Sequence, residues 1–164
     1  MCGFVALLGG NKEENKIHID PMLDEIAHRG PDGRGKICFD ENSTFGHVRL
    51  AILDFDHGDQ PMISECGRYL LVFNGEIYNF QEYREKLIKQ GYQFKGYGDT
   101  EVLLALLIIE GKKCLNKLNG MFAFVFYDKF SGEWIAARDH FGIKPLYYFE
   151  LSNGIAFASE IKAL

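Results

Sequence analysis

A chain of 164 residues, 47% hydrophobic and 25% charged, carries enough apolar side chains for one packed domain and too many for intrinsic disorder. Its net charge of −5, with no basic run, argues against nucleic acid or an anionic membrane as the main partner. The longest strongly apolar run, Val102–Ile109, falls far short of the roughly 20 residues of a membrane span, and the N-terminus lacks the basic, apolar and cleavage regions of a secretory signal.

In chain order, Cys2–Leu8 is a short apolar run closed by Gly9-Gly10, which predicts a buried strand. Polar Asn11–Lys16 predicts a loop. Asp20-Pro21 predicts a helix start, with Asp as cap and Pro in the first turn, and Met22, Leu23, Ile26 and Ala27 as the apolar face. That helix ends before Gly30-Pro31, and His28–Gly33 is rich in turn residues. Lys36–Phe39 and Phe45–Leu53 predict strands separated by Asp40–Thr44, and Asp54–Pro61 a polar loop. Tyr69–Phe73 predicts a strand that runs into Asn74-Gly75. Asn79 can cap a helix from Phe80 to Gln90, with Gly91 as its stop. Tyr92–Lys95 reads as a strand and Gly96–Asp99 as a loop. A second long helix starts at Thr100, and its apolar circumference predicts burial all round. Lys112–Leu118 reads as a short helix.

The remainder is strand-dominated. Met121–Tyr127 puts Phe122, Phe124 and Phe126 on one face and Met121, Ala123, Val125 and Tyr127 on the other, so this strand needs cover on both sides. Glu133–Ala137, Pro145–Glu150 and Ile155–Ser159 follow, the last two joined by a Ser152-Asn153-Gly154 turn. The sum is an α+β fold, read as a four-layer αββα sandwich with helices outside. Composition alone does not separate it from a two-layer α+β fold. The four cysteines (Cys2, Cys38, Cys66, Cys114) are scattered and form no CxxC pair, so no metal site is expected and a cytoplasmic, reducing compartment is. His18, His28, His47, His57 and His140 show no ligand spacing and read as structural or solvated.

Four segments carry potential chemistry. With Met1 removed, Cys2 would hold both a thiol nucleophile and, in its own α-amine, a base. Arg49 lies in an apolar strand; it can pair locally, or its guanidinium fork can take a carboxylate bidentately. Asn74-Gly75 is a hairpin signal, yet a helix follows it, and a carboxamide N–H beside a glycine N–H can form an oxyanion hole. Asp99 suits a helix cap and equally an ammonium group.

Together with these segments, His28-Arg29-Gly30-Pro31-Asp32-Gly33, Arg49–Asp54, Asp59-Gln60-Pro61-Met62, Phe73–Asn79, Gly98–Glu101, Leu118–Phe124, Arg138–Tyr148 and Ala158–Leu164 are similar, in order and across the whole chain, to the class II (N-terminal-nucleophile) glutamine amidotransferase domain. Pro31 and the closing Ser-Glu-Ile-Lys-Ala-Leu most resemble the glutamine-hydrolysing asparagine synthetases. The resemblance implies an αββα glutaminase domain over residues 1–164, the N-terminal part of a longer chain. It implies Cys2 as nucleophile, Asn74 and Gly75 as oxyanion hole, Arg49 on the α-carboxylate and Asp99 on the α-ammonium of L-glutamine. Leu50, Ile52, Leu53 and Glu76 would line the pocket. No metal or cofactor is expected for this domain. ATP and Mg²⁺ are expected for a C-terminal synthetase domain, in the same or a partner chain, that receives the ammonia. Aspartate is the default acceptor; a sugar carboxylate, hydrolysis of another amide, and a non-catalytic regulatory domain of the same fold are the alternatives. Oligomeric state, a homodimer included, stays open.

Overall fold

The structure is a computed structural model and describes residues 1–164. Its strands are β1 (Gly3–Gly9), β2 (Gly33–Cys38), β3 (Ser43–Arg49), β4 (Met62–Ile63), β5 (Tyr69–Ile77), β6 (Gly120–Asp128), β7 (Trp134–Arg138), β8 (Tyr147–Leu151) and β9 (Gly154–Ala158). Its helices are α1 (Lys12–Glu25), α2 (Phe80–Lys89) and α3 (Asp99–Glu110), with 3-10 turns at Ala27–Arg29, Gly111–Lys117 and Ile161–Ala163. The strands form two antiparallel sheets, in the orders β2-β3-β1-β9-β8 and β4-β5-β6-β7.

Three apolar layers hold four structural layers together. Phe4, Ala6 and Leu8 of β1 meet Leu70 and Val72 of β5 and Ala123, Val125 and Tyr127 of β6 between the sheets. The opposite face of β6, Phe122, Phe124 and Phe126, packs under α3 with Leu71 and Phe73. Val5 and Val48 on the outer face of the first sheet pack under Ile19 and Leu23 of α1 and under Ile26, which caps its end. The expected αββα sandwich is the fold, and two-sided cover of β6 is its cause. Each fully buried aromatic contributes roughly 1.5–3 kcal/mol of transfer free energy. Truncating Phe124, which is wholly buried, to Ala would cost about 3–5 kcal/mol.

Local readings differ in five places. Asn11–Lys16 is mostly helix: α1 starts at Lys12, capped by the Asn11 side chain, which accepts the Glu14 N–H at 2.9 Å. Asp20-Pro21 is therefore interior. The helix tolerates Pro21 because the missing N–H would have bonded the carbonyl of Ile17, an exposed residue whose carbonyl can turn to water. Tyr92–Lys95 forms no strand; Tyr92 and Phe94 instead lean onto the α3 core from an irregular segment. β3 stops at Arg49, so Leu50–Leu53 belong to a loop. Finally, β5 does not turn at Asn74-Gly75 but runs on to Ile77, because both residues pair with β6, opposite Ala123 and Phe122.

Candidate active site

Strand periodicity brings the chemistry to one place. Phe4, Ala6 and Leu8 face the inter-sheet layer, and two residues back along the same face is Cys2. Leu70 and Val72 face that layer from the other sheet, and two residues on is Asn74. Nucleophile and carboxamide thus end two apolar stripes that meet in the middle of the sandwich. A cavity of about 520 Å³ opens there, and Cys2, Arg49, Leu50, Ile52, Leu53, Asn74, Gly75, Glu76 and Asp99 all line it. Every residue expected from the sequence is on its wall. Ile52 and Leu53 are exposed at its rim.

The Cys2 sulfur receives the Leu50 N–H at 3.3 Å and lies 3.5 Å from the Leu50 carbonyl, to which the thiol donates. The Cys2 carbonyl accepts from Arg29 Nε at 2.9 Å, and Arg29 Nη1 is braced by Glu160 at 2.8 Å. Gly3 is required beneath this contact, since a Cβ there would lie 2.9 Å from Arg29 Cδ. Met1 precedes Cys2 and also lines the cavity; the buried Lys144 rests its Nζ 3.0 Å from the Met1 sulfur.

β5 has an open edge where β4 ends, and its alternate N–H groups project from it. The N–H of Phe73 is taken by Gln60 Oε1 at 2.6 Å, and that of Ile77 by Asp99 Oδ2 at 2.8 Å. Gly75 lies midway between them on that edge and its N–H faces the cavity. A side chain at Gly75 is excluded by β6, because its Cβ would meet the Met121 carbonyl at 2.1 Å. Next to it, the Asn74 side-chain Nδ2 is buried without an acceptor. Such a group costs about 1–3 kcal/mol to leave unpaired, which a folded protein tolerates where the donor serves a ligand. Underneath, the neutral His47 ring ties β3 to the Phe73 carbonyl at 3.1 Å; burial pushes its pKa down to about 4.

Arg49 and Asp99 flank this donor pair. Arg49 is nearly buried, and its two Nη groups bond Asp59 Oδ1 at 2.7 Å and the carbonyls of Leu53, Asp54 and Phe55. It thereby shapes the loop after β3 while pairing with an exposed carboxylate. Asp99 opens α3 rather than capping it; Gly98 is the N-cap. Burial, helped by the nearby Glu76 carboxylate, raises the Asp99 pKa to about 6 against the opposing Ile77 N–H bond. Two carboxylates on one pocket wall suit an ammonium group.

Sequence reasoning missed the Leu50 N–H, the Gln60 acceptor, Asp54 and the Lys144 contact. Main-chain donors carry no residue signature, and glutamine in a polar loop reads as solvated. Asp139 was missed likewise: its carboxylate gathers the N–H groups of Phe122, Phe141, Ile143 and Lys144, which sets Ile143 and Lys144 against the cavity.

Against known proteins, a family model described as a glutamine amidotransferase domain matches residues 1–164. The chain is 44% identical over 169 residues to the glutamine-hydrolyzing asparagine synthetase 1 of Bacillus subtilis, covering 100% of this chain and 26% of that protein. It is 40% identical over 176 residues to the amidase chry2 of Gibberella zeae, covering 99% of this chain and 26% of that protein. Among solved structures, the glutamine phosphoribosylpyrophosphate amidotransferase of B. subtilis, complexed with ADP and GMP, superposes with a TM-score of 0.84 at 25% identity, covering 99% of this chain and 42% of that one. The chain spans about a quarter of the length of these two curated relatives.

Proposed function

The chain belongs to the family of glutamine amidotransferase domains, and on that premise we propose that its cavity hydrolyses L-glutamine to glutamate and ammonia through a thioester on Cys2. The observation that carries this reading is the buried Asn74 Nδ2, which has no acceptor and shares a cavity with the Cys2 thiol. An oxyanion supplies the missing acceptor.

The chemistry follows from the groups present. Once Met1 is removed, the Cys2 amine takes the thiol proton and the sulfur attacks the side-chain amide carbon. The carbonyl oxygen becomes an anion held by the Asn74 Nδ2–H and the Gly75 N–H. The protonated amine delivers its proton to the departing ammonia as the tetrahedral adduct collapses to the thioester. Water then attacks the thioester, passes through a second oxyanion on the same donors, and glutamate leaves with the thiol restored. Asp99, with Glu76 beside it, holds the substrate ammonium. Arg49 holds the α-carboxylate in the seat now taken by Asp59. Leu50, Ile52 and Leu53 flank the substrate.

The ammonia is destined for a synthetase region with its own ATP and Mg²⁺, in the same or a partner chain. The short coverage of the longer relatives and the name of the B. subtilis relative support this, with aspartate as the acceptor; the four free cysteines support a reducing cytoplasm as the compartment. No helix is long and apolar enough to cross a membrane. A second reading, hydrolysis of another amide, is favoured by the equally extensive match to a relative named an amidase.

The test is Asn74→Ala in processed protein. Turnover should fall by roughly 10²–10³ with glutamine binding retained. Unchanged turnover would refute the oxyanion role, and with it this reading.

A further inference from the structure

Arg49 and Asp99 reach the cavity from different elements. Arg49 ends β3 in the first sheet, and Asp99 starts α3 outside the second. A substrate gripped at both its carboxylate and its ammonium needs these two groups at a fixed separation. One residue touches the supports of both.

Asp54 is almost wholly buried, 3% exposed, in a loop whose neighbours Leu53 and Phe55 are exposed. Its main-chain carbonyl accepts from Arg49 Nη2 and from the Gly58 N–H. Its carboxylate reaches across to the segment before α3. Oδ2 accepts the N–H groups of Tyr97 at 2.8 Å and Gly98 at 3.0 Å, and Oδ1 accepts the His57 N–H at 3.2 Å. Gly98 is the residue directly before Asp99. The approach is close enough to need glycine: a Cβ at Gly96 would lie 2.0 Å from Asp54 Oδ2, and one at Gly98 would lie 3.1 Å from Asp54 Cβ. Asp54 is also the chain's non-glycine residue at positive φ, 51°. That left-handed conformation costs of order 1 kcal/mol and persists where surrounding contacts over-determine it.

We propose that Asp54 is the positioning residue that sets the distance between the carboxylate-binding and ammonium-binding ends of the glutamine cradle. Its carbonyl holds the Arg49 guanidinium and its carboxylate holds the turn that delivers Asp99. It touches neither the sulfur nor the oxyanion donors. Its loss therefore loosens recognition of the two α-substituents and leaves the attack on the amide intact. This rests on the roles assigned above to Arg49 and Asp99.

The experiment compares processed wild type with Asp54→Asn and Gly96→Ala. The first leaves a single acceptor oxygen for the three N–H groups of His57, Tyr97 and Gly98 and sets an NH2 against whichever is left; the second pushes the carboxylate away while Asp54 remains. Steady-state glutamine hydrolysis is measured together with alkylation of Cys2 by iodoacetamide, which has neither α-substituent. Both variants should raise KM about 10–100-fold, the scale of an ångström-sized misplacement. Turnover at saturation and the alkylation rate should stay within about threefold. Adding Asp54→Asn to an Arg49→Ala background should raise KM further by much less than it does alone. Overturning results are an unchanged KM in both variants, a fall in kcat that matches the rise in KM, or the full penalty persisting without Arg49. Should Asp54→Asn fail to fold, Gly96→Ala decides alone. A normal KM in Arg49→Ala by itself would defeat the cradle assignment, and is separable from a failure of Asp54 because wild-type Asp54 is present in that variant.

Discussion

The main-chain N–H of Leu50 points at the sulfur of Cys2 from 3.3 Å. The contact is made by backbone at the first residue after β3 and holds the sulfur in place. It does not depend on what precedes Cys2, whereas the base does: with Met1 attached, the Cys2 nitrogen is an amide and takes no proton.

The first prediction separates these two dependencies. Protein retaining Met1 should lose at least about 10²-fold in glutamine turnover, the scale of a lost general base, yet its Cys2 should still alkylate. Intact mass read alongside activity checks this. Full turnover in material that carries Met1 would overturn the role of the free amine.

Asp99 gives a pH dependence of known sign. Holding an ammonium requires its carboxylate form, and its pKa near 6 leaves much of it protonated in mild acid. KM for glutamine should be flat above about pH 7 and rise nearly tenfold per unit below pH 6. Asp99→Asn should raise KM at neutral pH and remove that slope. A slope that survives in the variant would assign the titration elsewhere.

The same carboxyl costs stability when it ionises. Its folded pKa, about 6, lies above the ordinary 3.8, so the folded state holds the proton more tightly. The penalty is absent below pH 4, grows through pH 4–6 and is complete by about pH 7, at roughly 3 kcal/mol. Asp99→Asn should therefore be more stable than wild type at pH 7 and lose that advantage towards pH 4, as urea titrations at both values would show. His47 acts oppositely. Its pKa of about 4, depressed from 6.5 by burial, means that its stabilisation is intact above pH 6.5 and falls away as pH drops towards 4. In wild type the two slopes offset; removing Asp99 should expose the His47 loss on acidification. An equal stability difference at the two pH values would rule out the Asp99 contribution.

In the proposed cradle Asp59 competes with the substrate carboxylate for Arg49. Its carboxylate, 87% exposed, pairs with a guanidinium that is 10% exposed, so releasing Asp59 to water costs little. Asp59→Asn should lower KM for glutamine about two- to fivefold, on the scale of an exposed ion pair. A raised KM would show that the pair's main task is to shape the loop.

The layers were legible because apolar residues alternate along β6 and surround α3, patterns that only cover on both sides explains. The residues that line the cavity were legible through Cys2 beside the N-terminus, the Asn74-Gly75 pair and their resemblance to a known family. Its supports were not. Asn11 outranked Asp20-Pro21 as a helix start because the inward row Asn15, Ile19 and Leu23 is longer than the row after Pro21. Asn74-Gly75 reads as a turn by composition, and only pairing with β6 keeps it straight. Asp54 reads as a loop polar residue, and the N–H groups of Tyr97 and Gly98 that its carboxylate accepts lie more than forty positions away.

An uncovered strand edge ordinarily invites another strand, which is how soluble proteins come to aggregate. On β5 that edge is stoppered at both sides, by Gln60 over Phe73 and by Asp99 over Ile77. The gap between the stoppers is one donor wide, too narrow for a backbone and sufficient for a single oxygen. A feature that elsewhere is a folding hazard is confined here until the one thing able to use it is a small polarised ligand. In the proposed reaction Asp99 would then be both a substrate anchor and a guard against misassembly, because the carboxylate that closes this edge also lines the cavity.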